Sequence, residues 1–254
     1  MANKSKRPVG YDPKVGGSRR DLAMRIGLTA VVVVFAVALL GYIVISHNHK
    51  TRGEAAGRAI RVTSSKLVTG DGGKDPKATV SFYEDFLCPA CGNFERTFGP
   101  TVSKLVDSGA IAADYYMVGI LNSPRNHDYS SRAGAAAYCV ADESVDAFLR
   151  FHAALFSTAI QPSEIGTTFP DNARLIEIAR EAGAAGTVPG CVDSGKYLPM
   201  VDGMAAAVNV HATPTVRING QDYSPSTPEA LVAKIKEIVG NVPGLDSAVT
   251  PPPS

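Results

Sequence analysis

The stretch of sequence that decides the fold is Thr-Val-Ser-Phe-Tyr-Glu-Asp-Phe-Leu-Cys-Pro-Ala-Cys, residues 79–91. Residues 79–83 are β-branched or aromatic apart from one serine, which predicts a β-strand. Pro89 follows Cys88 directly, and proline is favoured at the first position of a helix, so we expect Cys88 to be a helix N-cap. Cys91 then lies within the first turn of that helix. The sequence therefore predicts a strand that leads into two cysteines at a helix N-terminus.

These two cysteines have the spacing of a redox-active dithiol. A thiolate is the nucleophile in disulfide exchange, and a sulfur at a helix N-terminus accepts hydrogen bonds from free backbone amides and feels the positive end of the helix dipole. We therefore predict that Cys88 attacks and that Cys91 resolves the mixed disulfide. The alternative is half of a zinc site, which needs two further ligands. Cys139 and Cys191 do not form a second Cys-x-x-Cys pair, so we predict no metal and no other cofactor.

Further strand patterns occur on both sides of this motif. A Tyr-rich apolar segment at 111–118 predicts a second strand, and weaker strand patterns lie at 60–62 and 67–68. Near the C-terminus, Asn-Gly at 219–220 separates two short strand-like runs within 215–223. This dipeptide is the strongest short signal for a β-hairpin, so we predict one there.

Several other segments have helical patterns. Each is preceded by an Asp, Ser or Thr that can act as an N-cap, and Gly183 and Gly240 are expected to end the last two. These helices are predicted at 129–140, 145–156, 172–182 and 228–239. Together with the strands, they predict a small α/β sheet domain interrupted by a helical block.

The chain begins with a basic segment followed by a long apolar run. Residues 26–46 carry no charge, and about 20 such residues suffice to cross a bilayer. The basic residues before the run favour a cytoplasmic N-terminus, so we predict a single-pass protein of the cell membrane whose body lies outside the cytoplasm. A cleaved signal peptide is the alternative, and it leads to the same side of the membrane. Nothing later has the clustered Lys and Arg of a nucleic-acid footprint, so no nucleic-acid partner is expected.

Three motifs together resemble the DsbA-like branch of the thioredoxin superfamily, in particular the membrane-anchored actinobacterial DsbA-like proteins. They are residues 83–91, His-Ala-Thr-Pro-Thr at 211–215, and Asn-Gly at 219–220. The resemblance extends over about 79–239 and implies a thioredoxin-like fold with an inserted helical domain. It also implies that Pro214 is cis and lies beside the dithiol, where Thr213 hydrogen-bonds the backbone of an incoming extended peptide.

The patterns and the resemblance together predict the domain organisation. A thioredoxin-like domain is split by a helical insertion and is connected to the membrane by a short tether. The predicted segments are a cytoplasmic basic tail (1–25), a transmembrane anchor (26–46), a tether (47–59), the first part of the thioredoxin-like domain (60–122), the inserted helical domain (123–208), the second part of the thioredoxin-like domain (209–240) and a disordered tail (241–254).

The remaining cysteines, Cys139 and Cys191, lie in the helical block. An even number of cysteines in an oxidising compartment predicts a second, structural disulfide. By restricting the unfolded chain, such a bridge would raise the free energy of unfolding by roughly 4 kcal/mol on the chain-entropy model. A second redox couple that shuttles electrons is the alternative. The actinobacterial resemblance also implies a disulfide within the helical domain.

One departure from the family concerns proton transfer. The family often has a buried Glu or Asp six residues before the first cysteine, where it serves proton transfer to the resolving thiol, and here that position is Phe82. Glu84 and Asp85 are candidates to replace it, although a surface or capping role is the simpler interpretation of each. Elsewhere, His152 falls on the apolar stripe of its helix and is interpreted as a hydrogen-bonded core residue.

A second departure concerns the thiolate. Ala90 occupies the place of a His that stabilises the thiolate in enterobacterial DsbA. Lowering a cysteine pKa from about 8.5 to about 3.5 requires roughly 7 kcal/mol, whereas a helix dipole supplies at most about 2. We therefore expect weaker stabilisation of the Cys88 thiolate here, with His211 as a candidate tuning residue. Phe86 and Leu87 are candidates for an exposed apolar rim beside the dithiol. For Phe86 the alternative is a place in the core.

The patterns and the resemblance predict an extracytoplasmic thiol-disulfide oxidoreductase that introduces disulfides into exported proteins. Its expected partners are exported unfolded or reduced polypeptides. The resemblance also implies a membrane quinone-linked recycling oxidoreductase of the DsbB or vitamin K epoxide reductase type. The same dithiol could run as a reductase or an isomerase, because the direction depends on the reduction potential. A non-catalytic chaperone or binding module with this fold is the alternative from another class.

Overall fold

The strand predicted at 79–83 lies at the centre of the sheet. The computed structural model describes residues 58–70 and 73–245, and within them five strands form one sheet in the order β1-β3-β2-β4-β5. Strands β2 and β3 are parallel, and the other neighbouring pairs are antiparallel. The strands are β1 (Ile60–Val62), β2 (Thr79–Glu84), β3 (Ala112–Met117), β4 (Thr215–Ile218) and β5 (Gln221–Asp222). The strand predictions at these places are confirmed.

The helices fall into two groups according to their place in the chain. Helix α1 connects the two parallel strands, and α2 to α6 all lie between β3 and β4, so the predicted helical block is observed. The helices are α1 (Pro89–Asp107), α2 (Tyr129–Glu143), α3 (Val145–Leu155), α4 (Asn172–Glu181), α5 (Val188–Asp193), α6 (Leu198–Ala207) and α7 (Pro228–Val239), with a short 3₁₀ turn at Pro124–Asn126.

Most of the predicted N-caps are formed by side chains. Ser144, Asp171 and Thr227 each accept a hydrogen bond from the backbone amide three residues later, at 3.1, 2.8 and 3.2 Å. Asp128 also precedes its helix, but its backbone is left-handed at φ 53° and its side chain makes no capping hydrogen bond. The start of α2 was therefore predicted correctly and its capping interaction was not.

The Asn-Gly hairpin is confirmed and also holds the sheet together. Asn219 and Gly220 both have positive φ, 49° and 81°, as a two-residue hairpin turn of this kind requires. The Asn219 side chain accepts a hydrogen bond from the Thr79 amide at 2.8 Å and donates one to the Lys77 carbonyl at 3.2 Å. The turn thereby connects β4 to the start of the central strand.

Two features differ from the sequence prediction. Residues 67–68 are not a strand. The Val68 amide instead donates at 2.8 Å to the carbonyl of Gly109, which lies in the loop after α1. Helices α5 and α6 were not predicted individually. Their N-cap residues, Thr187 and Tyr197, make no side-chain capping hydrogen bond, although each helix has a proline in its first turn.

Helix α2 is buried on nearly all sides and forms the centre of the helical block. Gly134 has no room for a side chain, since an added Cβ would lie 2.9 Å from Val201 of α6. The small residues allow neighbouring helices to approach closely, in keeping with the close packing of protein interiors. The alanines buried on this helix are Ala133, Ala135, Ala136, Ala137.

The predicted transmembrane anchor at 26–46 lies outside the described residues and stays a prediction. Among residues 58–70 and 73–245, no helix combines the length and apolar character that crossing a membrane requires. At the other end, Leu245 is buried and its amide bonds the Val242 carbonyl at 3.1 Å. Within the tail predicted at 241–254, Val242 and Leu245 pack against the core, and residues 246–254 lie outside the described residues.

Candidate active site

Cys88 lies where the central strand passes into α1. It is the N-cap of the helix, with extended backbone, and its sulfur accepts a hydrogen bond from the Cys91 amide at 3.4 Å. Only 7% of the residue is exposed, whereas Cys91 is fully buried. Both are free thiols, so the structure describes the reduced dithiol. Of the two sulfurs, only that of Cys88 is placed to meet another protein.

The two thiols have pKa values shifted in opposite directions. A hydrogen bond from the Cys91 thiol has the largest effect on Cys88; together with the Thr213 side chain and the Cys91 and Ala90 amides, it outweighs burial and lowers the pKa of Cys88 to about 5. Burial, followed by the Cys88 sulfur and the Glu84 carboxylate, raises the pKa of Cys91 far above its usual range. Near neutral pH the pair therefore carries one thiolate, on Cys88, and one proton, on Cys91.

The segment before β4 closes one side of the dithiol. The Thr213–Pro214 peptide bond is cis, and the Cys88 sulfur lies 3.4 Å from the Thr213 carbonyl oxygen, to which it can donate only when it is protonated. Pro214 and Phe94 of α1 contribute to a groove of about 320 Å³ together with residues of β4 and the segment that follows it. The groove is thus separated from the Cys88 sulfur by Thr213, which precedes Pro214.

The stabilisation of the Cys88 thiolate has a source that the sequence analysis did not include. The resemblance implies only a substrate-binding role for Thr213, and His211 is the tuning residue expected from the sequence. In the structure His211 is exposed, and it is not among the groups with the largest influence on the Cys88 pKa. The Cys91 thiol and the Thr213 side chain take the place of the absent His at position 90.

Glu84 is buried, so its interpretation as a surface or capping carboxylate is wrong. It ends the central strand, and its Oε2 lies 2.8 Å from Nε2 of His152 in α3. Burial raises the pKa of Glu84 to about 8 and lowers that of His152. The contact is therefore a hydrogen bond between neutral groups near neutral pH. The prediction that His152 is a hydrogen-bonded core residue is confirmed.

Glu95 is a residue that the sequence analysis missed. It lies on α1 one turn beyond Cys91, and its Oε2 is 3.7 Å from Nδ1 of His152. Burial and the neighbouring Glu84 raise the pKa of Glu95 well above its usual range. The spacing of four residues from Cys91 places both side chains on one helix face, and this was the available signal.

Asp85 is buried as well, but its role is to hold backbone. Its two carboxylate oxygens accept hydrogen bonds from the Leu87 amide at 2.8 Å and the Leu121 amide at 2.9 Å. It therefore connects the loop before Cys88 to the loop after β3, which is a capping role of the kind expected. Burial raises the pKa of Asp85 to about 6.

The residues next to Cys88 are closely packed around it. Phe86 and Leu87 are buried, so the proposed exposed apolar rim is wrong and Phe86 belongs to the core. Gln161, from the loop before α4, donates to the Cys88 carbonyl at 3.0 Å and the Phe86 carbonyl at 3.3 Å. No local sequence pattern indicates Gln161, which lies 73 residues from Cys88.

The second cysteine pair lies in the helical block. The structure joins Cys139 of α2 and Cys191 of α5 in a disulfide across a sequence separation of 52 residues. Cys139 is 1% exposed. The bridge connects the buried central helix to the six-residue helix α5.

Within the described residues, Glu84, Glu95 and His152 are the one group of three acidic, cysteine or histidine side chains close enough to surround a metal ion. Each imidazole nitrogen of His152 faces a different carboxylate, however. A single ion can use only one of those nitrogens. The contact with Glu84 is a hydrogen bond at 2.8 Å, whereas the contact with Glu95, at 3.7 Å, is not, and we assign no metal to the group.

Comparison with known proteins agrees with this site. The thioredoxin family model matches residues 66–237. The crystal structure of reduced DsbA from Mycobacterium tuberculosis is 74% identical, with a TM-score of 0.74, and the alignment covers 76% of this chain and 98% of that one. The reduced form of the disulfide bond oxidoreductase DsbG from the same organism is 73% identical, with a TM-score of 0.74 over 78% of this chain and 96% of that one.

A more distant relative has a different domain organisation. Over 122 residues, 47% of this chain, the sequence is 31% identical to the serine/threonine-protein kinase PknE of Mycobacterium tuberculosis. The match covers 22% of that protein. The chain thus spans about a fifth of the length of the curated relatives it matches.

A Cys-x-x-Cys pair at a helix N-terminus, with a cis proline beside it on a thioredoxin-like sheet, defines a thiol-disulfide oxidoreductase. The chain belongs to the thioredoxin family, and within it to the DsbA-like protein disulfide oxidoreductases.

Proposed function

We propose that the chain is an extracytoplasmic oxidase that introduces disulfides into exported proteins. The observation that carries the proposal is the place of Cys88 as the N-cap of α1, where the Cys91 amide donates to its sulfur at 3.4 Å and the pKa of the thiol is lowered to about 5. Stabilising this thiolate stabilises the reduced protein, and a protein that is stable when reduced takes electrons from its substrates. The transmembrane anchor predicted at 26–46 would hold the enzyme on the outer side of the membrane, where such substrates fold.

The reaction begins with the oxidised enzyme. A substrate thiolate attacks Cys88 Sγ, the bond from Cys88 to Cys91 breaks, and Cys91 leaves as a thiolate that must take up one proton. A second substrate thiolate then attacks the sulfur bound to Cys88, forming the substrate disulfide and releasing the Cys88 thiolate. Two electrons pass to the enzyme, which ends with a thiolate at Cys88 and a thiol at Cys91.

Substrate binding is assigned to the groove beside the cis peptide bond. Thr213 contacts the Cys88 sulfur, and Pro214, the next residue, lines the groove. Hydrogen bonds to a substrate backbone are independent of its side chains, which suits an enzyme that acts on many unfolded polypeptides. Recycling would use the reverse chemistry with a membrane quinone-linked oxidoreductase of the DsbB or vitamin K epoxide reductase type.

The experiment that tests this direction is the equilibrium of the full chain with reduced and oxidised glutathione. We expect a reduction potential well above the thioredoxin value of about −270 mV, at or above the isomerase value of about −180 mV. Oxidative refolding of a reduced, disulfide-containing substrate should proceed in the same preparation. A potential near that of thioredoxin would identify a reductase, and absence of both refolding and insulin reduction would identify a non-catalytic chaperone.

A further inference from the structure

We propose that Gln161 of the helical block is a positioning residue for Cys88, because its side-chain amide holds the backbone segment that carries the reactive sulfur. The role rests on disulfide exchange at Cys88 and Cys91, and it is the same whichever direction that exchange takes. Gln161 acts on the sulfur through the main chain of residues 86–88.

One side-chain amide holds two backbone carbonyls on either side of Leu87. Nε2 of Gln161 donates to the Cys88 carbonyl at 3.0 Å and to the Phe86 carbonyl at 3.3 Å. The NH₂ group of a glutamine has two hydrogens, so it can serve both acceptors at once. The residues that lead into α1 are therefore held in one conformation by a group from a distant part of the chain.

Arg96 of α1 determines which way the amide of Gln161 points. It donates to Oε1 of Gln161 at 3.3 Å and to the Phe156 carbonyl, at the start of the same loop, at 2.6 Å. A guanidinium group has donors only, so the oxygen of Gln161 faces Arg96 and the nitrogen faces the two carbonyls. The reversed amide would oppose donor to donor and acceptor to acceptor, which leaves one favoured orientation.

The lack of a side chain at position 92 makes room for this contact. Gly92 lies near the start of α1, and its amide donates to the Cys88 carbonyl at 3.2 Å. A Cβ at this position would lie 2.0 Å from Oε1 of Gln161 and 2.8 Å from Nη1 of Arg96. A side chain at position 92 would therefore push Gln161 away from the carbonyls that it holds.

The position of the Cys88 backbone matters because it directs the sulfur. Cys88 has an extended backbone, with ψ 117°, and its sulfur lies 3.4 Å from the Cys91 amide. Donors stabilise a developing charge best when they are already in place. Without Gln161, rotation at Cys88 would weaken the bond to the sulfur, and the Cys88 carbonyl oxygen would turn an unneutralised negative dipole end towards the thiolate. The thiolate exists only in the reduced enzyme, so we expect Gln161 to favour that form.

The test measures the equilibrium of the full chain with reduced and oxidised glutathione, and titrates the Cys88 thiolate by its ultraviolet absorbance. Gln161→Met keeps the length of the side chain and removes its donors. A neutral hydrogen bond is worth at most about one pKa unit, and the effect on the sulfur is indirect. We therefore expect the pKa of Cys88 to rise by about half a unit and the equilibrium to shift about threefold towards oxidised enzyme. Thr158→Val removes a polar group from an exposed position in the same loop, so it is the matched control and should keep both wild-type values.

A second variant disturbs the same contact from the other side. Gly92→Ala leaves Gln161 in the sequence but displaces its side chain. We expect the pKa of Cys88 and the glutathione equilibrium to shift in the same direction as in Gln161→Met, although alanine favours a helix more than glycine does. Gly92→Ala decides the matter should Gln161→Met fail to fold.

A purely structural role predicts a different result. The reduction potential reflects the difference in stability between the reduced and the oxidised form, so a contact that stabilises both forms equally leaves it unchanged. A lower unfolding temperature with wild-type pKa and wild-type equilibrium in both variants would overturn the proposal, and so would an equal shift in Thr158→Val. A wild-type equilibrium near that of thioredoxin, with both variants shifted as expected, would refute the oxidase proposal and leave the role of Gln161 standing.

Discussion

The two cysteine pairs have the same covalent chemistry available to them and opposite surroundings. Cys88 is the N-cap of α1, where amides, a thiol and the Thr213 side chain stabilise its thiolate. Cys139 lies inside α2, buried among small apolar residues, and is bonded to Cys191 of α5. Because these groups stabilise the Cys88 thiolate, the pair formed by Cys88 and Cys91 favours the reduced state, in which the two sulfurs are not bonded to each other. The comparison indicates that local polarity decides which pair reacts and which pair stabilises the fold.

The largest effect is expected from removing one member of the reactive pair. Cys88→Ala should abolish disulfide exchange, because the sulfur that meets substrate is lost. Cys91→Ala should instead accumulate mixed disulfides through Cys88, because the intermediate has no internal resolving thiol. Adducts that are sensitive to reducing agent and run as discrete bands on a non-reducing gel provide the measurement. Adducts confined to Cys88→Ala would reverse the two roles.

The structural pair should respond in the opposite manner. Replacing both Cys139 and Cys191 by Ser should lower the free energy of unfolding by about 2–4 kcal/mol, because the bridge no longer restricts the unfolded chain. Exchange activity below the new unfolding temperature should be largely retained. Denaturant unfolding and a refolding assay on the same samples measure both quantities. A fully stable but inactive variant would favour the electron-shuttle alternative.

This contrast also explains how much could be predicted from the sequence. The strand, the N-cap cysteine and the hairpin depend on residues that are adjacent in the chain, and their patterns were sufficient. Glu84 was misassigned because its partner, His152, lies 68 residues away on α3, and no local pattern reveals such a contact. Gln161 was missed for the same reason. The pairing of Cys139 with Cys191 follows once Cys88 and Cys91 are assigned to the dithiol, because only two cysteines remain, and the structure confirms it.

The reactive pair should also make stability depend on pH in one redox state only. In the reduced protein the pKa of Cys88 is lowered from 9.0 to about 5, so the folded state releases its proton at lower pH than the unfolded state. The resulting stabilisation is fully present above about pH 9 and is lost as pH falls through 5. In the oxidised protein Cys88 does not titrate. The effects of Glu84 and Asp85 that are the same in both redox forms cancel when the unfolding free energy of the oxidised form is subtracted from that of the reduced form.

We therefore expect the reduced form to gain stability relative to the oxidised form as pH rises from about 5 to 9. Urea unfolding of both forms across this range measures the difference. A difference that is constant with pH would show that the Cys88 thiolate is not what stabilises the reduced enzyme. Serine variants of Cys139 and Cys191 should leave the pH dependence of the difference unchanged, since that pair does not titrate in either form.

The smallest expected effect comes from restoring a donor at position 90. Ala90 is exposed at the start of α1. Its backbone amide helps to lower the pKa of Cys88, but its side chain offers no hydrogen-bond donor. A hydrogen bond to a charged group contributes about 1.5–3 kcal/mol. For a two-electron couple, about 30 mV corresponds to 1.4 kcal/mol. We therefore expect Ala90→His to raise the reduction potential by roughly 30 mV. The low end of that range applies because solvent weakens an exposed interaction. Ala90→Leu, which adds bulk without a donor, is the control, and its potential should stay at the wild-type value. An equal rise in both variants would attribute the change to altered exposure of Cys88, and no rise in either would mean that the Cys91 thiol and Thr213 already satisfy the sulfur.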